Sequence, residues 1–277
     1  MKRTILILGN QRSWSSITMR LLEAYGIHVN IPSFLDPAGQ LNGAHELRSL
    51  GAVTGWVYRL VFGSREDSIP YREISQVVSK RTEKGYATLS EGERYPHELL
   101  EFGCDIINSC AALTSDGGTV VAMKVPIMVL CWDFWKQAIA LQQSRGTTPT
   151  FILGMTVRNP HEIAMSYMVR SPSRFHHVSD VYGLIDGWFR SQLAVMEEYR
   201  YQKGFTILPI RACQEHYRAD VKRLLSTAEV AWSEDIFAEH FQVKATHDTG
   251  VQKRALVFET YKRLLEVCET LSGAVYE

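Results

Sequence analysis

Five residues near the start of the chain, Ile5-Leu6-Ile7-Leu8-Gly9, are apolar up to a terminal glycine. The chain then turns polar at once through Asn10-Gln11-Arg12-Ser13-Trp14-Ser15-Ser16. A short unbroken apolar run of this kind is the pattern of a strand buried on both faces, as in a parallel sheet. Ile17, Leu21, Leu22 and Tyr25 follow at close to helical spacing, so an amphipathic helix is expected to begin at the serines. Strand, polar loop and helix N-terminus together present unpaired N–H groups and the positive end of a helix dipole, and both favour an anion. Arg12 contributes a cation, and Ser13, Ser15 and Ser16 contribute hydroxyls. The expected ligand is phosphorylated or sulfated. The loop does not match a Walker A motif, because its second glycine and its lysine are both missing. The same serines would also suit an ordinary helix cap.

A second segment narrows the choice. Thr150-Phe151-Ile152-Leu153-Gly154-Met155-Thr156-Val157 reads as another buried strand, and Arg158-Asn159-Pro160 follows it directly. Pro160 suits the first turn of a helix, where a missing N–H costs nothing. That helix is expected to run to Arg170 and to carry Ser166. Arg158 offers a planar fork that can hold two oxygens of one phosphate.

The strings G-x-x-R-S-x-S-S and R-N-P-x-E-x-A-x-S together resemble the two phosphate motifs of the sulfotransferase family. That family's cofactor is 3′-phosphoadenosine 5′-phosphosulfate (PAPS). The resemblance implies an α/β fold with a P-loop-like parallel β-sheet flanked by helices, residues 1–277 forming a single sulfotransferase domain. It implies transfer of a sulfuryl group to a hydroxyl or amine-type nitrogen of a small-molecule acceptor, releasing 3′-phosphoadenosine 5′-phosphate (PAP). Arg12, Ser13, Trp14, Ser15 and Ser16 would then surround the 5′-phosphosulfate, with Arg158 and Ser166 on the 3′-phosphate. Trp14 stands where the family usually has glycine, and by turning outward it would form one wall of the acceptor pocket.

Lys124-Val125-Pro126 is similar to the Lys-Asp-Pro-Arg strand of bacterial members and lacks its Asp and Arg. Pro126 occupies the position where eukaryotic members have a catalytic histidine, so the base must lie elsewhere. Asn42-Gly43-Ala44-His45-Glu46 is similar to a bacterial stretch whose glutamate lies near the acceptor. Glu46 is favoured as base by that motif and His45 by its chemistry. His176 and His177 are further candidates, and His28 is expected to be structural. Arg12 and Lys124 are the catalytic cations this scheme implies, stabilising charge on the departing bisphosphate. The Tyr-Glu-Asp of many members is replaced by Arg211-Ala212-Cys213. The eukaryotic R-K-G-x-x-G loop is absent, with Lys253 and Arg254 as possible substitutes.

At 277 residues, 45% of them hydrophobic, the chain has enough apolar material for a large core. Its formal net charge is zero, so no global field points to nucleic acid or an anionic membrane, and anion binding must be local. Five dispersed cysteines without a C-x-x-C pair suggest reduced core thiols in a cytoplasmic protein. No apolar run approaches the ~20 residues of a membrane span. No metal-ligand motif is present, so the expectation is a site without metal.

Helices are further expected at 71–84, 96–113, 127–143, 178–201, 213–225 and 251–271, with strands ending at Lys124 and spanning 205–210. Alternating strands and helices imply right-handed crossovers and a parallel sheet. Stretches 31–70 and 171–180 are expected to be loops over the cofactor. No dense basic run suggests a polymeric acceptor. The short bacterial enzymes of natural-product tailoring look most similar, with saxitoxin-type guanidinium alkaloids as one concrete acceptor class. Trp56, Tyr58, Trp132, Tyr167 and Met168 are candidates for an acceptor pocket, and Glu46, Asp133 and Glu162 for charge partners of a cationic acceptor. The alternatives are a P-loop kinase or nucleotide hydrolase, and a non-catalytic nucleotide-binding relative.

Overall fold

The structure, a computed structural model, describes residues 3–10, 12–29, 53, 56–57, 85–86, 88–89, 91–112, 120–124, 126–146, 150–170, 178–199, 205–241 and 256–273. Four parallel strands form its sheet: β1 (Arg3–Gly9), β2 (Val120–Lys124), β3 (Thr150–Val157) and β4 (Phe205–Arg211). Their spatial order is β2-β1-β3-β4, so β1 and β3 lie side by side in the middle. Their register pairs Ile5 with Ile152 and Gly9 with Thr156. After its first helix, α1 (Ser15–Ala24), the chain returns past the outer side of β2. There His28 makes a single parallel bridge to Val121, which gives His28 the structural place expected of it.

Alternation along each strand builds two separate cores. Ile5 and Ile7 of β1, Ile152 of β3 and Leu208 and Ile210 of β4 face one way. They meet α1, α6 (Gln214–Thr227) and the short α7 (Glu234–His240). Leu6, Leu8, Phe151, Leu153, Met155 and Val157 face the other way. They pack with α2 (His97–Ala112), α3 (Trp132–Ser144), α4 (Pro160–Arg170), α5 (Val178–Tyr199) and α8 (Leu256–Gly273). Burial on both faces is why these strands are almost continuously apolar. The expected α/β class and parallel sheet are thus present, in three layers.

Element ends differ from expectation where tertiary packing decides. The helix expected from residue 127 begins at Trp132, and Pro126–Cys131 is instead a 3₁₀ segment. Met128, Val129, Leu130 and Cys131 are all buried there, and a regular amphipathic α-helix could not hide four successive side chains. The helix at 234–240 was not anticipated; Ser233 caps it, accepting from Ile236 N–H at 3.4 Å. Residues 178–180 are helical and are not part of a loop. The helix expected at 71–84 lies outside the described residues, as do residues 251–255 of the last one. No described helix is long and apolar enough to cross a membrane.

A buried ion pair ties the far side of the sheet together. Arg211, last residue of β4, donates from Nε and Nη2 to the two oxygens of Asp220 on α6, at 2.9 and 2.8 Å. Its Nη1 donates to Glu269 on α8. Asp220 is fully buried, and Arg211 is nearly so. The residues standing where the family has Tyr-Glu-Asp therefore begin with a structural clamp. Cys104, Cys131 and Cys268 are buried free thiols, whereas Cys213, just before α6, is exposed.

Candidate anion-binding site

The connections leaving β1 and β3 run to opposite sides of the sheet, since β1 leads to β2 and β3 leads to β4. The crevice outside their carboxyl ends is the topological switch point, where open α/β sheets bind ligands. Both arginine motifs emerge there, the Arg12 loop from β1 and Arg158 from β3.

Gly9 ends β1 with φ of 142°, and a Cβ there would lie 2.7 Å from the Thr156 carbonyl oxygen and closer still to its side chain. Only glycine fits this join. Beyond it, Arg12 and Trp14 both have φ of 66°, with Ser13 between them and Ser15 helical. Alternating signs of φ turn successive N–H groups toward one side, the concave arrangement that binds anions. Two non-glycine residues in the left-handed region cost on the order of 1–3 kcal/mol each. The first intrahelical bond of α1 runs from Thr18 N–H to the Trp14 carbonyl at 2.9 Å. The N–H groups of Ser15, Ser16 and Ile17 thus precede the helix's own ladder. The N-cap residue Trp14 makes no side-chain cap to them, and the first turn holds no acidic residue.

The loop is pinned from below. Ser13 is buried, and its hydroxyl donates to the Asn10 carbonyl while lying 2.6 Å from Thr156 Oγ1. Its side chain is therefore a structural pin, and its N–H is what it offers a ligand. Trp14 does not turn outward. It is buried, edge-on to Tyr217 of α6 at 5.3 Å and to Phe241 at 5.7 Å, because the apolar layer under α1 accepts a large ring there. Thr18 holds the turn by donating to the Trp14 carbonyl at 3.1 Å, with Tyr217 OH 2.8 Å from its hydroxyl. Burial pushes the Tyr217 phenol far above its ordinary range, so it stays protonated there.

Three cations gather around this loop. Lys124, the last residue of β2, is buried, and its Nζ donates to Ser16 Oγ at 2.9 Å. With that lone pair used, the Ser16 proton is free to donate outward. Arg158 is 8% exposed; its Nε donates to Glu162 at 2.7 Å and its Nη1 to the Arg12 carbonyl at 2.8 Å. Nη2 has no partner among the described residues. Asn159 accepts from His161 N–H at 2.9 Å and starts α4, with Pro160 at the first helical position. The Arg12 guanidinium lies 6.0 Å from the centre of the Tyr167 ring, which is itself buried on α4.

Arg12, Ser13, Trp14, Ser15, Ser16, Lys124 and Arg158 thus share one end of the sheet. Ser166 is half-buried on α4, two turns beyond Arg158 and on the line that Glu162 also occupies. Glu162, expected as a partner for a cationic acceptor, instead orients Arg158. Trp132, expected to line an acceptor pocket, is wholly buried in the core. Asp133 pairs with Lys136 at 3.4 Å. His45, Glu46, Tyr58, His176, His177, Lys253 and Arg254 lie outside the described residues. Asn10, Thr156 and Tyr217 were not anticipated, and Tyr167, expected as an acceptor-pocket residue, lies buried beside the Arg12 guanidinium. Thr156, as a polar residue inside an apolar strand next to an arginine, was the findable one. No protein-family model matches the chain, and no curated protein is a significant match to it.

Proposed function

We propose that the protein is a PAPS-dependent sulfotransferase with the sulfotransferase fold, acting on a small-molecule acceptor. The observation that carries this reading is the joining of two anion-holding arms at one switch point. The concave loop Arg12–Ser15 and the Arg158 fork arise from adjacent strands and are hydrogen-bonded to each other. The donor set fits a nucleotide carrying separate 5′ and 3′ anionic groups.

The bound cofactor would supply the activated sulfuryl group. The residues of the chain then divide the work. The N–H groups from Ser13 to Ser16 and the Ser15 and Ser16 hydroxyls hold the 5′ oxygens. Arg158, with Ser166, takes the 3′-phosphate. Arg12 and Lys124 place fixed positive charge where negative charge grows as the bisphosphate leaves, which stabilises the transition state more than the ground state. Arg12 stays protonated at neutral pH, so its role is electrostatic. Glu46 or His45 takes the acceptor's proton.

Calorimetric titration tests the reading. PAP is expected to bind at micromolar or tighter affinity, and ATP with magnesium is not. Preference for ATP with magnesium would overturn the proposal in favour of a kinase or nucleotide hydrolase. PAP binding without any sulfuryl release across a broad acceptor set would leave a non-catalytic relative.

A further inference from the structure

We infer that Trp14 is a positioning residue which locks the Arg158 guanidinium in place and thereby couples 3′-phosphate recognition to the 5′ loop. The inference rests on the nucleotide reading above and deepens it. A left-handed residue at position 14 invites glycine, and tryptophan there carries a backbone cost that a glycine would not. What the ring does in return is visible in its contacts. Tyr217 and Phe241 meet it in edge-type contacts, at 5.3 and 5.7 Å. The Arg158 guanidinium lies over the ring, 5.6 Å from its centre.

Three contacts of different direction therefore bear on one planar group. Glu162 and the Arg12 carbonyl fix the guanidinium within its own plane, through Nε and Nη1. The Trp14 ring bears on it from a third direction, and a desolvated cation over an indole face is attractive in itself. Among the described contacts, one N–H of Nη1 and both of Nη2 stay available to a ligand. An arginine held this way needs no ordering when the ligand arrives, so less affinity is lost to side-chain entropy. Because the shelf belongs to the 5′ loop, the loop and the 3′ arm move as one unit. The expected result is discrimination in favour of nucleotides that carry both anionic groups.

The test is a double-mutant cycle read with two nucleotides, PAP and adenosine 5′-monophosphate. Trp14→Leu keeps the same backbone requirement and removes the aromatic face. It is expected to weaken PAP about 3- to 30-fold, the range of a desolvated cation–π contact, and the monophosphate by less than about 2-fold. Trp14→Phe should recover most of the lost PAP affinity. In an Arg158→Gln background, Trp14→Leu should change PAP affinity by less than about 2-fold. Arg158→Met replaces Gln in the cycle if the Gln variant does not fold. Equal losses for both nucleotides, or a loss that persists without Arg158, would make Trp14 a packing residue only and overturn the inference. Wild-type protein that binds neither nucleotide would remove the nucleotide reading and this inference with it. Wild-type binding with equal losses would remove the inference alone.

Discussion

Gly9 and Lys124 carry the sharpest expectations at the scale of single residues. A Cβ at position 9 would press on the Thr156 backbone, which cannot move without breaking the β1–β3 register. Gly9→Ala is expected to cost more than ~2 kcal/mol and to abolish nucleotide binding, as denaturant unfolding and titration would show. Lys124 is expected to act in the transition state through its place beside Ser16. Lys124→Met should lower kcat ~10²-fold with PAP affinity changed only a few-fold, and a steady-state assay separates the two. A loss confined to KM would make Lys124 a binding residue. The meeting of Arg12 and Arg158 at one end of the sheet was legible from sequence because each follows closely on a buried parallel strand. The inward turn of Trp14 was not legible. It depends on Tyr217 and Phe241, some two hundred residues away, and loop sequence alone cannot show which side of the backbone has room. The role of Glu162 was missed for a related reason: its partner follows from the helix start at Pro160, which sets Arg158 and Glu162 four residues apart on one side.

Among the elements, the parallel strands were the most readable, since double-sided burial demands unbroken apolar runs. Helices with one apolar face, such as α1 and α5, were found within a few residues of their observed ends. The 3₁₀ segment at Pro126–Cys131 was misjudged because Met128, Val129, Leu130 and Cys131 are buried in succession, leaving no periodicity to detect. The Arg211–Asp220 pair joins β4 to α6 beneath the second core, and Glu269 of α8 completes it. Removing the carboxylate leaves a buried guanidinium with Glu269, an exposed carboxylate, as its remaining clamp partner. Asp220→Ala is expected to destabilise the fold by ~3–5 kcal/mol, measured by chemical denaturation. The PAP affinity of the fraction that remains folded should be unchanged, because the clamp touches neither phosphate arm.

The whole molecule should be sensitive to alkali. Burial raises the Cys268 thiol to about 12, and it pushes Cys131 and the phenols of Tyr199, Tyr217 and Tyr261 up as well. A folded-state pKa above the unfolded one means that the contribution to stability is complete below the unfolded value. It is then lost as pH rises toward the folded value. For Cys268 that window runs from ~8.5 to about 12. Each such thiol costs up to ~1.4 kcal/mol per pH unit within its window. Melting temperature is therefore expected to fall steadily between pH 9 and pH 11, and less steeply in Cys268→Ala. A flat profile would mean that these groups titrate as freely folded as unfolded.

The central position of β1 has a consequence for how the protein is made. Its neighbours in the sheet start at Val120 and Thr150, and Gly9 finds its partner only at Thr156. At a synthesis rate of roughly 5–20 residues per second, β1 waits on the order of 10 s between leaving the ribosome and meeting both strands. Until β2 emerges the segment Ile5–Leu8 is an unpaired apolar strand, and until β3 emerges one of its edges stays open to chaperones and to other nascent chains. β1 thus waits longer for its partners than β2 or β3 does, and the anion loop it carries is closed against Thr156 only when β3 arrives.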